Sequence, residues 1–248
     1  MLEFSALSVT LDHRDILTDI SFAAKKGRIT ALLGKNGSGK TTLLRAVNQE
    51  IAYRGRIRIA SQPTDALAPR ERARHIALLP QILPKVDLTV GELIMLGRTP
   101  YLGLLSHPSS ADREAVTTAM RDTGLLPLRE RRVASLSGGE RQRAYLAMLL
   151  AQSTPCILLD EPTTYLDADT RKQLLSLLGS LSRRHQKTVL AVLHDINDAI
   201  RIADDIALLA GGHLEFYGTV ESFLEARLPE THFGLERHPS DGVLPFFY

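Results

Sequence analysis

An α/β fold interrupted by a helical insert is what this sequence predicts, and three observations carry the prediction. Short apolar runs at Ile29–Leu33, Ile76–Pro80, Ile157–Glu161 and Thr188–Leu193 have the length and composition of buried strands. The first of them ends in a glycine-rich loop, Gly34–Thr42 (GKNGSGKTT), that opens a helix. From Leu88 to about Gln152 the pattern turns helical. With 248 residues, 44% of them apolar, the chain can bury a sizeable core. The division that follows is a core over 1–86 and 153–248 and a helical subdomain over 87–152.

Taken in order, Leu2–Leu11 and Ile16–Ala23 alternate and flank a polar turn at Asp12–Asp15, so they read as two antiparallel strands at a sheet edge. Lys25-Lys26-Gly27 turns into the central strand Arg28–Leu33, Thr41–Asn48 is a short helix starting at about Lys40, and Arg54–Ile59 alternates as a strand. Ile76–Pro80 ends against Gln81. In the insert, Ser110-x-x-Arg113 caps an amphipathic helix over Ala111–Thr123 with an apolar stripe at Ala115, Val116, Ala119 and Met120. Tyr101–Pro108 and Pro127–Arg132 read as loops. Ser137-x-x-Glu140 is a capping-box pattern for a helix through Ala144–Ala151.

Pro162 stops the strand Ile157–Glu161, and Thr163–Asp167 leads to a helix over Thr170–Leu181, followed by a basic turn at Arg183–Lys187. Ile206–Ala210 and His213–Tyr217, joined by Gly211-Gly212, form a hairpin. Val220–Ala226 is a short helix, and the tail is irregular with a final apolar run, Val243–Tyr248.

The net charge of +2, with both signs interspersed, offers no field that argues for nucleic acid, and the basic pieces Arg129–Arg132 and Arg183–Lys187 are short enough to be solvated faces. One cysteine, Cys156, excludes an intrachain disulfide and suits a reducing compartment. No apolar run approaches the roughly 20 residues that span a bilayer. The opening MLEFSALSVTLDHRD lacks a basic-then-apolar signal pattern, so a soluble, cytosolic chain is expected.

The chemistry concentrates in four places. The loop fits G-x-x-x-x-G-K-[ST]: the backbone amides of Gly34, Lys35, Asn36, Gly37, Ser38 and Gly39 can wrap phosphate oxygens, Lys40 can reach the β- and γ-phosphates, and Thr41, followed by Thr42, can meet Mg²⁺. The helix that starts there adds its own partial positive charge. Asp160 and Glu161 end an apolar strand as adjacent carboxylates, able to divide metal ligation from activation of water. Gln81 and His194 also stand at strand ends, where α/β sheets bind ligands; the first can meet Mg²⁺ or water, the second a γ-phosphate. Lastly, Ser137, Gly138 and Gly139 open a second uncovered helix N-terminus, and two phosphate-directed helix ends on one chain need an explanation.

GKNGSGKTT, the Gln81 of LLPQ, LSGGERQ, ILLDEP, YLD and LHD occur in this order and at spacings that resemble the ATPase subunit of an ATP-binding cassette (ABC) transporter. The resemblance covers essentially the whole chain. The stretches LPQILPKVDLTVGELIMLGRTPYLGLL, ADRE, ERQRAYLAMLLAQ, LDEPTTYLD and TVLAVLHDIND are similar to importers of iron complexes, nearest to the ferric hydroxamate type, with haem and cobalamin importers as relatives.

The resemblance implies a P-loop NTPase (RecA-like) core with an N-terminal antiparallel β subdomain and an inserted helical subdomain carrying LSGG. It also implies ATP and Mg²⁺ as cofactors. Two cassettes pair head to tail, so that Ser137, Gly138 and Gly139, with Glu140 in the same signature, act in trans. Glu161 is then the general base, Asp160 and Thr41 serve Mg²⁺, Gln81 senses metal and water, His194 holds the γ-phosphate and Asp167 contacts the opposite subunit. The implied partners are a membrane permease dimer, met by the segment after Gln81 and the helical insert, and indirectly an extracytoplasmic binding protein. The implied location is the cytoplasmic face of the membrane.

In one respect the sequence departs from the pattern: Leu11, with His13 nearby, stands where family members often carry an aromatic residue that stacks on adenine. The preference for ATP over GTP is therefore carried from the family alone.

Rival readings divide on visible features. A DNA-repair or chromosome-organising cassette needs long heptad runs between cradle and LSGG, and none of that length is present. A P-loop kinase would leave LSGGERQ without a role. A soluble regulatory cassette without a membrane partner is discriminated by copurification.

Overall fold

The computed structural model describes residues 1–103, 106–164, 166–238 and 246–247. Its strands are β1 (Leu2–Leu11), β2 (Arg14–Ala24), β3 (Ile29–Leu33), β4 (Arg54–Ile59), β5 (Gln62–Pro63), β6 (Ile76–Leu79), β7 (Cys156–Asp160), β8 (Thr188–Val192), β9 (Asp205–Ala210), β10 (His213–Thr219), β11 (Arg237–His238) and β12 (Phe246–Phe247). Its helices are α1 (Lys40–Val47), α2 (Pro69–His75), α3 (Val90–Leu96), α4 (Ser110–Asp122), α5 (Gly138–Ala151), α6 (Ala168–His185), α7 (Ile196–Ile202), α8 (Val220–Glu225) and α9 (Leu228–Phe233). The chain forms two compact units, Met1–Ala66 with Leu178–Tyr248 and Leu67–Leu177, and the division falls within α6.

The first unit holds two larger sheets and the two-stranded pair β11–β12. Strands in the order β2-β1-β4-β5 form an antiparallel sheet that buries Phe4, Leu7, Val9, Leu17, Ile20, Phe22, Ile57 and Ile59, with the Phe4 and Phe22 rings stacked at 4.6 Å. The turn between β1 and β2 is tighter than the Asp12–Asp15 expected from sequence. Only Asp12 and His13, at φ 48 and 60, make it, and Arg14 and Asp15 already pair with Leu11 and Thr10. Two successive left-handed residues match the twist of a hairpin, which is why a two-residue connection suffices.

The second sheet runs β10-β9-β3-β8, with β3 parallel to both β8 and β9 and every residue of β3 and β8 buried. Leu32 pairs with Val192, so the segments following β3 and β8 leave the sheet at the same edge.

The second unit pairs β6 and β7 in parallel, Leu79 beside Leu159, alongside the helices α3, α4 and α5. Here the structure corrects the expected cap of α4: Ser109, not Ser110, accepts from Asp112 N–H, and Asp112 accepts back from Ser109 N–H. Both serines are competent caps, and Asp112 decides between them because it also takes Arg98 Nε at 2.8 Å in a largely buried pair. The Ser109 hydroxyl first, and then Arg98, hold the Asp112 carboxyl down at about 2.

Helix α6 runs on to His185, beyond the expected Leu181, so Arg183 and Arg184 belong to its last turn rather than to a basic turn. Cations there complement the helix dipole, and Gln186 at φ 50 ends the helix. The tail read as irregular contains α9 and the pair β11–β12. Tyr165 and most of Val243–Tyr248 lie outside the described residues.

Candidate functional site

In the first unit, β3 delivers the chain into a loop that its own surroundings restrict to glycine at both ends. Gly34 has φ 147, and a Cβ there would meet Leu209 O at 2.3 Å; Gly39 has φ 100, and a Cβ there would meet Leu17 Cδ2 at 2.4 Å. Gly39 is also the N-cap of α1, which carries no side-chain cap and no acidic residue in its first turn. No capping side chain or carboxylate therefore offsets the helix dipole at this end.

The Lys40 ammonium folds back over the loop, donating to Gly34 O at 2.8 Å and Lys35 O at 3.0 Å, with the residue only 6% exposed. Ser38 Oγ is buried without a hydrogen-bond partner among the described residues. A buried cation, an orphan hydroxyl and a helix start without a capping side chain suit a polyanion such as a chain of phosphates. Thr41 lies exposed beside them. Just past the end of the neighbouring strand β8, His194 is exposed and follows the buried Leu193, whose N–H reaches Leu32 O at 3.3 Å, at the edge of the sheet where the loop emerges.

In the second unit, parallel pairing brings two strand ends together. Gln81 Nε2 donates to Glu161 Oε2 at 2.5 Å, and Thr164 Oγ1 donates to the same oxygen at 3.3 Å. Asp160 closes β7 and is 8% exposed. Glu161 then turns out of the strand at φ 51. A non-glycine residue pays about 1–2 kcal/mol for the left-handed conformation. The turn separates the directions of two adjacent carboxylates, a geometry suited to giving each a separate task.

Two braces were not legible in the sequence. Buried Gln142 donates to Pro162 O at 2.7 Å, and Tyr145 OH donates to Pro84 O at 2.8 Å. Their three-residue spacing on α5 ties the segments after Glu161 and after Gln81 to one helix face. Gln142 lies among Glu140, Arg141 and Arg143, so nothing in the local sequence marks it out from its charged neighbours.

Helix α5 itself begins with the expected capping box: Ser137 Oγ accepts from Glu140 N–H at 3.2 Å, and Glu140 Oε2 accepts from Ser137 N–H at 2.9 Å. The hydrogen bonds from Ser137 hold the Glu140 carboxyl below its ordinary range. A Cβ on Gly139 would strike Thr170 Cγ2 at 2.3 Å, whereas a Cβ on Gly138 would meet nothing within 4 Å. Asp167 accepts from Thr170 N–H at 2.9 Å and Thr170 Oγ1 at 2.8 Å, bonds that lower its carboxyl too.

Residues 17–164 match the family described as "ABC transporter", more than half of the chain, and the chain belongs to that family. The ferric enterobactin transport ATP-binding protein FepC of Escherichia coli (strain K12) is 42% identical over 211 residues, covering 84% of this chain and 78% of that protein. The petrobactin import ATP-binding protein FpuD of Bacillus anthracis is 38% identical over 237 residues, covering 95% and 87%. Among solved structures, a chain of an inward-facing ABC transporter described as of metal-chelate type superposes with a TM-score of 0.86 at 26% identity, covering 100% of this chain and 96% of that one. A dimeric ATP-binding cassette in a post-hydrolysis state, bound to ADP and Pi, superposes with a TM-score of 0.76 at 26% identity, covering 89% and 99%.

Proposed function

We propose that this ABC transporter cassette binds and hydrolyses ATP to drive uptake of an iron complex through a separate membrane permease. The observation that carries the reading is the loop from Gly34 to Thr41, closed to any side chain at Gly34 and Gly39 and crossed by the Lys40 ammonium. Its amides, from Gly34 to Thr42, hold the phosphates, and Lys40 neutralises them. Glu161 takes the proton of the attacking water, Gln81 fixes the orientation of that carboxylate, and His194 donates to the γ-phosphate.

Thr41, Gln81 and Asp160 are the residues for Mg²⁺. All three offer hard oxygen donors, and among the described residues no group of three or more His, Cys, Asp and Glu gathers as a metal site. That donor set suits an ion that arrives with the nucleotide and keeps much of its water. Mg²⁺ supplies charge neutralisation on the phosphates when bound.

The open space over Gly138 favours a composite site, in which Ser137, Gly138, Gly139 and Glu140 of one copy face the nucleotide of another and Asp167 touches that second copy. The dimeric, ADP-bound neighbour supports such pairing. Residues 1–86 and 153–248 form the catalytic core, and 87–152 the helical subdomain that meets the permease. No helix among the described residues is long and apolar enough to cross a membrane, so the permease supplies the membrane passage and holds the cassette at its cytoplasmic face. An extracytoplasmic binding protein delivers the iron complex. Relatives named for ferric enterobactin and petrobactin support iron complexes as the class of cargo.

The test is ATPase activity of the purified chain as a function of its own concentration, wild type beside Glu161→Gln. Specific activity that rises with concentration and vanishes in the variant is expected. Activity independent of concentration would overturn the composite site.

A further inference from the structure

Three residues beyond His194, Asn197 is bonded to a segment fifty residues later in the chain. Its carboxamide Nδ2 donates to Phe247 O at 3.0 Å, and its Oδ1 accepts from Phe247 N–H at 2.9 Å. A planar amide that exchanges both bonds with one residue's backbone acts as a strand neighbour would, and it fixes position and orientation together. The Phe247 side chain is 3% exposed. On its other side Phe247 pairs with Arg237, and Phe246 with His238, in the β11–β12 ladder.

The same Asn197 closes a short path back to the histidine. Its backbone N–H is held at 2.8 Å by Asp195 Oδ1, the N-cap of α7, and Asp195 directly follows His194. Helix α7 has seven residues and buries Ile196, Ala199, Ile200 and Ile202, so its far end is set by apolar packing. Its start, which His194 immediately precedes, is set by the N-cap Asp195 and by the Asn197–Phe247 clasp.

We infer that the Asn197–Phe247 clasp is a positioning device for His194, through which strand β12 sets the rate of ATP hydrolysis rather than the affinity for nucleotide. Asn197 acts through Asp195 and touches no reacting atom; it is a positioning residue. The inference rests on the reading of His194 as the γ-phosphate residue. A purely structural clasp would lower thermal stability and leave turnover per folded molecule unchanged.

The experiment is a double-mutant cycle on the full chain, with Asn197→Ala, His194→Ala and the combination, scored by release of labelled phosphate over hours so that residual turnover is measurable. Asn197→Ala is expected to lower kcat about tenfold while the ATP dissociation constant stays within twofold of wild type, and to add no further loss in the His194→Ala background. Non-additivity of this kind is what residues acting as one unit give. Deleting residues 246–248, which leaves Asn197 intact, should reproduce the loss of kcat and shift or broaden the His194 ring resonances in an NMR spectrum. Should Asn197→Ala fold poorly, that deletion and Asn197→Asp, which keeps the acceptor but loses the donor, carry the same cycle.

Wild-type kcat in Asn197→Ala and in the deletion, with His194→Ala impaired, overturns the inference alone. An equal fractional loss in both backgrounds also overturns it, making Asn197 structural. Wild-type kcat in His194→Ala overturns the histidine reading and the inference with it.

Discussion

Two helix starts in this molecule present amides outward, and they are built in opposite ways. At α1 the preceding loop is crowded by its own chain: Gly34 and Gly39 admit no Cβ, Lys40 is buried, and no side chain or carboxylate covers the first turn. At α5 the first turn is satisfied from within by Ser137 and Glu140, and the chain leaves empty space above Gly138. Crowding around a buried lysine marks a surface shaped by the chain itself to hold a ligand closely. A satisfied turn beside unused space marks a surface shaped for something the chain does not itself contain.

The largest effect that can break this contrast lies in the chemistry served by the first start. Glu161→Gln should cut hydrolysis by about 10²–10⁴-fold, the usual worth of a positioned general base, while ATP binding and an ATP-bound dimer persist. Unchanged turnover in a phosphate-release assay would remove Glu161 from the role. Lys40→Ala should lower ATP affinity or turnover by about 10²-fold, since a charge-assisted contact in a buried cradle is lost; nucleotide titration measures it.

The contrast sharpens next at the second start. Subunits carrying Ser137→Arg, mixed with subunits carrying Lys40→Ala, should recover part of the hydrolysis that each lacks alone, because mixed dimers keep one intact site. No recovery would return Ser137 to a purely internal role.

Smaller still are two effects on stability. Gly139→Ala forces a methyl group against Thr170 and should cost about 1–3 kcal/mol in chemical denaturation, as overpacking does. Gly138→Ala should leave stability within about 0.5 kcal/mol of wild type. Equal losses would mean that the space over Gly138 is not open.

The smallest concerns pH. The Glu140 carboxyl is lowered by its bonds to Ser137, so the stability it contributes is present above its ordinary value of 4.5 and fades as pH falls through the depressed one. Glu140→Gln should therefore flatten the acid limb of the stability profile below pH 4.5, and an unchanged limb would show that the box contributes nothing.

Much of this was written locally in the chain. Glycines at fixed spacing and the Ser137-x-x-Glu140 box are decisions made by a few neighbouring residues, so the loop Gly34–Thr42 and the start of α5 could be read directly. Strand β7, by contrast, ends at Asp160, one residue before the end expected from Pro162, because Glu161 already turns left-handed. Neither Gln142 on Pro162 O nor Tyr145 on Pro84 O could be read this way, because those bonds depend on which segments folding brings beside α5. Helices α7 and α9, seven and six residues long, are too short for a periodic pattern to stand out. The end of α6 was misjudged because Arg183 and Arg184 serve equally as a solvated turn or as cations on a helix C-terminus.

Glu161 sits left-handed, and a glycine would occupy that backbone more comfortably. Glu161→Gly should then raise the thermal midpoint slightly while ending turnover. Selection for expression or heat resistance alone would reward the loss of the carboxylate proposed as the general base, so laboratory evolution of this cassette needs a screen for turnover as well as for stability.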